Sequence, residues 1–190
     1  AIYTRALPKA LIYGFGFSSG VDMEGRYLQV DFDNISIGSL LAPSATSNVE
    51  SQEVKMQFFD DLQVHLTKIS RKRRDFIFCG DWGIAPRADD ISNPSAQQLT
   101  SGFLAEEQHW MKQLSQVGYI DAFRHGNDDK DEYSWWPSGE LGVGDAWRSD
   151  LQIVSSSLTQ KIDYAMIYKS KLFSSHLPVI VDYDIELVPE

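Results

Sequence analysis

Apolar residues recur along this chain at two periods, and the switches between them mark out an alternation of strands and helices. Period-two runs fall at residues 10–13, 26–32 and 35–41, with Leu28, Val30 and Phe32 on alternate positions of the second. A helical period takes over near Ser47-Asn48-Val49-Glu50, which has capping-box spacing, and its apolar stripe passes through Phe59, Leu62, Leu66 and Ile69. A second helix is predicted over residues 105–117, using Phe103, Trp110, Leu114 and Val117 on one face and Gly118 as its stop. Further strands are predicted at 75–79, 148–154, 162–167 and 179–183. No linker, repeat or low-complexity tract interrupts the pattern. The expected architecture is a layered α/β sandwich, two face-to-face mixed sheets flanked by helices, in a single domain over residues 1–190.

Composition narrows the picture. With 190 residues and an apolar fraction of 43%, the chain has enough material for a substantial core. No apolar run approaches the roughly 20 residues of a membrane span, and no basic start followed by an apolar stretch marks a signal peptide, so a cytoplasmic location is expected. The single Cys79 lies in an apolar strand-like run and reads as a buried, inert thiol. A net charge of -10 predicts that the surface as a whole repels nucleic acid, so that contact with RNA or DNA must be local. One cluster is suited to that: Lys68, Arg71, Lys72, Arg73 and Arg74, at the carboxyl end of the first long helix. It reads either as cations favouring a helix C-terminus or as a local phosphate-binding patch. Trp135 and Trp136, with Tyr133 and Pro137, read as core packing, with base stacking as the alternative. The acidic stretch 128–132 reads as a solvated loop, and His65, His109 and His125 as surface or boundary residues without metal-ligand partners.

Three segments carry candidate chemistry: Gly80-Asp81-Trp82-Gly83, Arg148-Ser149-Asp150 and Ser174-Ser175-His176. In order, they resemble the endonuclease/exonuclease/phosphatase superfamily, and within it the exonuclease III branch, whose corresponding motifs are Gly-Asp-x-Asn, Arg-x-Asp and Ser-Asp-His. Asp81, Asp150 and His176 match. Gly83 stands for the asparagine, Ser175 for the last aspartate, and Leu41 for a tyrosine two residues before a proline. The resemblance implies that an aspartate handles a proton, that a divalent cation neutralises the phosphate, and that Asp150 orients His176. It also implies roughly 70 family residues upstream of this chain, so that residues 1–190 correspond to the C-terminal two-thirds to three-quarters of the domain, and that the fragment is unstable without them.

Other segments, among them Gly25-Arg26-Tyr27-Leu28-Gln29, Tyr133-Ser134-Trp135-Trp136-Pro137 and residues 175–184, resemble the catabolite repression control (Crc) proteins of pseudomonads and their relatives. That likeness implies a non-enzymatic regulator on an exonuclease III-like fold. It would act with the RNA chaperone Hfq in a ternary complex on A-rich mRNA, bind RNA weakly or not at all alone, touch no membrane, and need no cofactor, with self-association left open. On this reading no residue is catalytic, no metal is held, and the five clustered cations face RNA or a partner. The alternative is a magnesium-dependent apurinic endonuclease or 3′-5′ exodeoxyribonuclease in DNA repair, with Asp81 at the metal.

Overall fold

The computed structural model describes residues 1–45 and 48–187. Six strands form one mixed sheet: β1 (Ala10–Tyr13), β2 (Tyr27–Asp31), β3 (Ile35–Leu41), β4 (Asp75–Asp81), β5 (Tyr119–Asp121) and β6 (Asp150–Ser155), in the order β1-β2-β3-β4-β6-β5. β3 and β4 are parallel and the other neighbours antiparallel. A parallel pair needs a long crossover, and the 21-residue helix α2 (Val49–Ile69) provides it, preceded in the chain by the short α1 (Ser19–Glu24). α3 (Ala105–Gln116) and α4 (Ala122–Gly126) bracket β5, and β7 (Ile162–Ile167) pairs with β8 (Val179–Tyr183) as a separate two-stranded sheet.

Alternation along β4 decides what packs where. Phe76 and Phe78 join Phe59, Leu62 and Leu66 of α2 and Trp110 and Leu114 of α3 in one core. Ile77 and Cys79 point the other way, toward a smaller core with Val154, Val181 and Tyr183. The sheet is therefore covered by helices on one face and by the β7–β8 pair on the other, which is the layered sandwich expected. Each fully buried Phe or Leu contributes about 1.5–3 kcal/mol of transfer free energy, and the helix face holds the larger set of them.

Local chemistry sets the ends of the elements. Asn48 caps α2 by accepting the Ser51 N–H at 2.8 Å, while Ser47 of the anticipated capping box lies outside the described residues. Glu107 folds back to accept the N–H groups of Gly102 and Leu104 at 2.7 and 2.9 Å, fixing the start of α3. Gly118 follows α3 at φ +91°, the left-handed conformation that stops a helix. Phe103, expected on the α3 face, instead packs beside Trp147 in a separate cluster, because it precedes the helix and its side chain is not on the helical stripe. No helix among the described residues is long and apolar enough to cross a membrane.

Candidate functional site

The site is built at the C-terminal end of β4, and a glycine makes it reachable. A Cβ on Gly80 would lie 1.9 Å from the Leu40 carbonyl oxygen, at φ +153°, so only glycine lets β3 and β4 stay paired into Asp81. Asp81 stands directly opposite Asp150 across the antiparallel β4–β6 ladder, a juxtaposition that brings two carboxylates together. Burial raises the Asp81 carboxyl above its ordinary range and the facing Asp150 raises it further, against the Gly83 N–H that Oδ1 accepts at 2.9 Å. Asp150 Oδ2 accepts the Ser134 hydroxyl at 2.6 Å and lies 2.9 Å from His176 Nδ1. The hydrogen bond to Asp150 raises the His176 imidazole above its usual value, outweighing partial burial. Trp135 bridges to both Trp147 and His176, its ring centroid 6.0 Å from the imidazole. Asp81, His176, Trp135 and Trp147, with Gly83 and Lys55, line a cleft of about 540 Å³, and Asp150 stands behind them through His176.

Two buried ion networks hold this arrangement, and neither was recognised from sequence. Lys55 Nζ donates to Glu107 Oε1 at 2.6 Å, to the Gly83 carbonyl at 2.7 Å and to Ser101 Oγ at 3.2 Å, which ties α2, α3 and the turn after Asp81 together. The signal was available: Lys55 stands four residues before Phe59 on the apolar stripe, where a charge survives burial only with partners. The second network centres on Asp90, whose oxygens accept from Arg148 at 2.8 and 2.9 Å and from Arg124 at 2.7 and 2.8 Å. Burial alone would raise this carboxyl, but the two guanidiniums hold it below its ordinary value. Arg148 also donates to Asp121 Oδ2 at 2.6 Å, so the strand that delivers Asp150 is anchored two residues upstream. Spacing gives no hint of a partnership between residues 58 positions apart.

The structure brings Asp81, Asp150 and His176 together and leaves the other candidates in distinct places. Leu41 lies beside Asp81 in the β3–β4 register, half-exposed, and Ser175 is exposed next to His176. Gly83 turns in the left-handed region, where an added Cβ would meet only Lys55, at 3.6 Å or more. Among the described residues, no three His, Cys, Asp or Glu side chains converge as a metal site. Lys68, Arg71, Lys72 and Arg73 are exposed at the end of α2. They lie by the start of β4, so with ~3.3 Å of rise per strand residue they are about 20 Å from Asp81 and outside the cleft. Arg74 differs from its neighbours: it donates to the Phe32 and Ile35 carbonyls at 2.6 and 3.1 Å as a strut between turns. Trp136 is buried while Trp135 faces the cleft, so only one of the pair is wholly core. His109 and His125 are exposed, but His65, expected near the surface, is 6% exposed and stacked on Phe15 at 4.8 Å. Burial pushes its imidazole down to about 4, with Lys72 and Lys68 adding to the shift and Asp22 opposing it. Burial likewise pushes the Cys79 thiol up to about 12, which keeps it protonated and inert.

No family model matches the chain. Among curated proteins, the exodeoxyribonuclease of Bacillus subtilis is 31% identical over 183 residues, covering 94% of this chain and 71% of the relative. A DNA-(apurinic or apyrimidinic site) endonuclease of Dictyostelium discoideum is 28% identical over 190 residues, covering 97% of this chain but only 52% of the relative. In structure, an AP endonuclease from Archaeoglobus fulgidus superposes with a TM-score of 0.85 at 21% identity, over 95% of this chain and 72% of that one. The 3′-5′ exonuclease NExo of Neisseria meningitidis gives 0.85 at 17% identity, over 96% and 73%. These likenesses show the exonuclease III/AP endonuclease type of fold. They also overturn the expected likeness to the Crc proteins, and with it the non-enzymatic co-repressor acting through Hfq: the relatives carry the names of nucleases. Leu41, Gly83 and Ser175 depart from the family motifs, while Asp81, Asp150 and His176 keep them. The retained side chains are those that meet across the β4–β6 ladder and the cleft.

Proposed function

The chain belongs to the exodeoxyribonuclease family, and from that premise we propose that it hydrolyses phosphodiester bonds in DNA, at abasic sites or from 3′ ends, with magnesium. The observation that carries this reading is the meeting of Asp81 with the Asp150–His176 pair on one cleft. His176 engages Asp150 through Nδ1, which leaves Nε2 for a phosphate oxygen, and the raised proton affinity keeps the ring charged nearer neutrality. Ser134 and Asp150 hold the ring in place and Trp135 limits its movement on the other side. Asp81 Oδ2 has no hydrogen-bond partner among the described residues, and burial beside Asp150 leaves that carboxylate short of positive charge. A magnesium ion needs only one or two protein carboxylates and fills its remaining positions with water and substrate phosphate, so Asp81 fits as its ligand. When bound, the cation would neutralise charge on the phosphate.

The pH profile follows from the two shifts. Asp81 must be ionised and His176 protonated, so the rate falls on the acid side through a carboxyl raised above 3.8 and on the alkaline side through an imidazole raised above 6.5. The test is cleavage of end-labelled duplexes, one with a single abasic site and one with a recessed 3′ end, in magnesium and in EDTA. The expected result is magnesium-dependent shortening that His176→Ala reduces at least ~10²-fold. Intact DNA after incubation with the wild-type protein in magnesium would overturn the reading.

A further inference from the structure

The basic cluster at the end of α2 is not absorbed by the cleft, and its setting separates it from an ordinary solvated helix end. Lys68, Arg71, Lys72 and Arg73 are exposed, and among the described residues none has an ion-pair or side-chain hydrogen-bond partner, in a chain of net charge -10. Favourable interaction with the helix dipole fades beyond the last turn. Only Lys68 lies in that turn, since Ser70 is the C-cap and the three others follow it. The dipole therefore accounts for one cation of four. The segment is also held in shape: Ser70 and Lys72 donate their N–H groups to the Leu66 and Ile69 carbonyls at 2.9 Å, and Arg74 bonds the β2–β3 turn. Four like charges are thus kept together on a fixed turn against their mutual repulsion.

We propose that Lys68, Arg71, Lys72 and Arg73 form a second binding site, for the phosphate backbone of a single-stranded nucleic acid, at the opposite end of the sheet from the cleft. The four main clefts among the described residues are lined by other side chains, so none of them reads an acidic peptide at the patch. Val64, one turn before Lys68, is the large apolar side chain exposed beside it, too little to insert into a lipid surface. A flat array of guanidinium forks and ammonium groups suits a flexible polyanion, whose phosphates each fork can grip in bidentate fashion. Its separation of about 20 Å from Asp81 corresponds to about six nucleotides at the stacked spacing of 3.4 Å, and to fewer in an extended single strand, so one strand can engage the patch and the cleft together. The acidic remainder of the surface confines contact to this place and keeps affinity low at physiological salt.

The test does not depend on catalysis. A fluorescein-labelled single-stranded 20-mer of DNA is titrated with the protein in EDTA between about 50 and 200 mM salt, and log K should fall with log salt at a slope near -3, from ~0.7 per single-strand phosphate over four contacts. The variant with Lys68, Arg71, Lys72 and Arg73 all changed to Glu should lose at least about tenfold in affinity at 50 mM salt and most of that slope. A control with the same change in net charge, Lys112, Lys130, Lys161 and Lys171 all to Glu at exposed sites, should keep most of the affinity. Absence of binding at 50 mM salt, or an equal loss in the control, would overturn the proposal. So would capture by anionic phosphatidylserine vesicles without binding of the 20-mer. Loss of cleavage in the duplex assay with binding intact would overturn the nuclease reading alone.

Discussion

Asp81, Asp150 and His176 were legible one at a time because each sits in a short motif whose neighbours are distinctive. What could not be read was how the altered positions around them weigh. Gly83 leaves room on the cleft wall that an added Cβ would enter without meeting backbone, and it lies at φ +58°, a conformation asparagine tolerates better than most residues. Ser175 is exposed beside His176 and adds no charge near Asp81. If each missing polar group costs ~10² to 10³ in rate, the native chain should be a slow nuclease. Gly83→Asn combined with Ser175→Asp should then raise the cleavage rate on the abasic duplex by at least ~10², measured in single turnover with magnesium. An unchanged rate would mean that these positions do not limit the chemistry.

Strands and long helices were readable from period, and their bounds agree closely: β1, β3, β7 and β8 fall where the alternation predicts, and α2 carries the expected stripe. The short elements were not. β5 has three residues and α4 five, fewer than either period needs to show itself, and both exist because tertiary partners hold them. The clearest case is the Asp90 network, which joins the 3₁₀ turn Ala88–Asp90, α4 and the approach to β6 through Arg124 and Arg148. Asp90→Ala leaves Arg124 buried without a carboxylate and Arg148 with Asp121 alone, and should cost about 3–5 kcal/mol, read as a lowered urea midpoint. A cost below ~1 kcal/mol would show that water or local relaxation replaces the carboxylate. Because Arg148 lies two residues before Asp150, that loss should also disorder the site, visible as a weakened Asp150–His176 hydrogen bond in imidazole NMR.

The molecule as a whole carries one titration that its elements do not reveal. His65 lies between Phe15 and Tyr27 with Nε2 lacking a partner, and burial holds its imidazole near 4 in the folded chain against about 6.5 when unfolded. Between those values the unfolded chain takes up a proton that the folded chain refuses. Stability should therefore fall as pH drops through that window, by about 1.4 kcal/mol per pH unit, and level off below about 4. His65→Phe keeps the aromatic stack and removes the proton, so urea unfolding between pH 7 and 4 should lose that part of its slope. An identical slope in the variant would assign it to other groups.

Period and short motif determine properties that depend on residues close in the chain: the order of strands and helices, the core stripe of α2, and the choice of Asp81, Asp150 and His176 as candidate site residues. The layered α/β class follows from that order, and the structure agrees with it. Properties that depend on distant residues were settled only by folding. The β4–β6 register set Asp81 against Asp150, the stripe carried Lys55 to Glu107 and the Gly83 carbonyl, and the length of β4 separated the basic cluster from the cleft. Local patterning records how a side chain is presented, whereas burial and opposed charge arise only when separate segments close around it, and those two quantities set what the site can do.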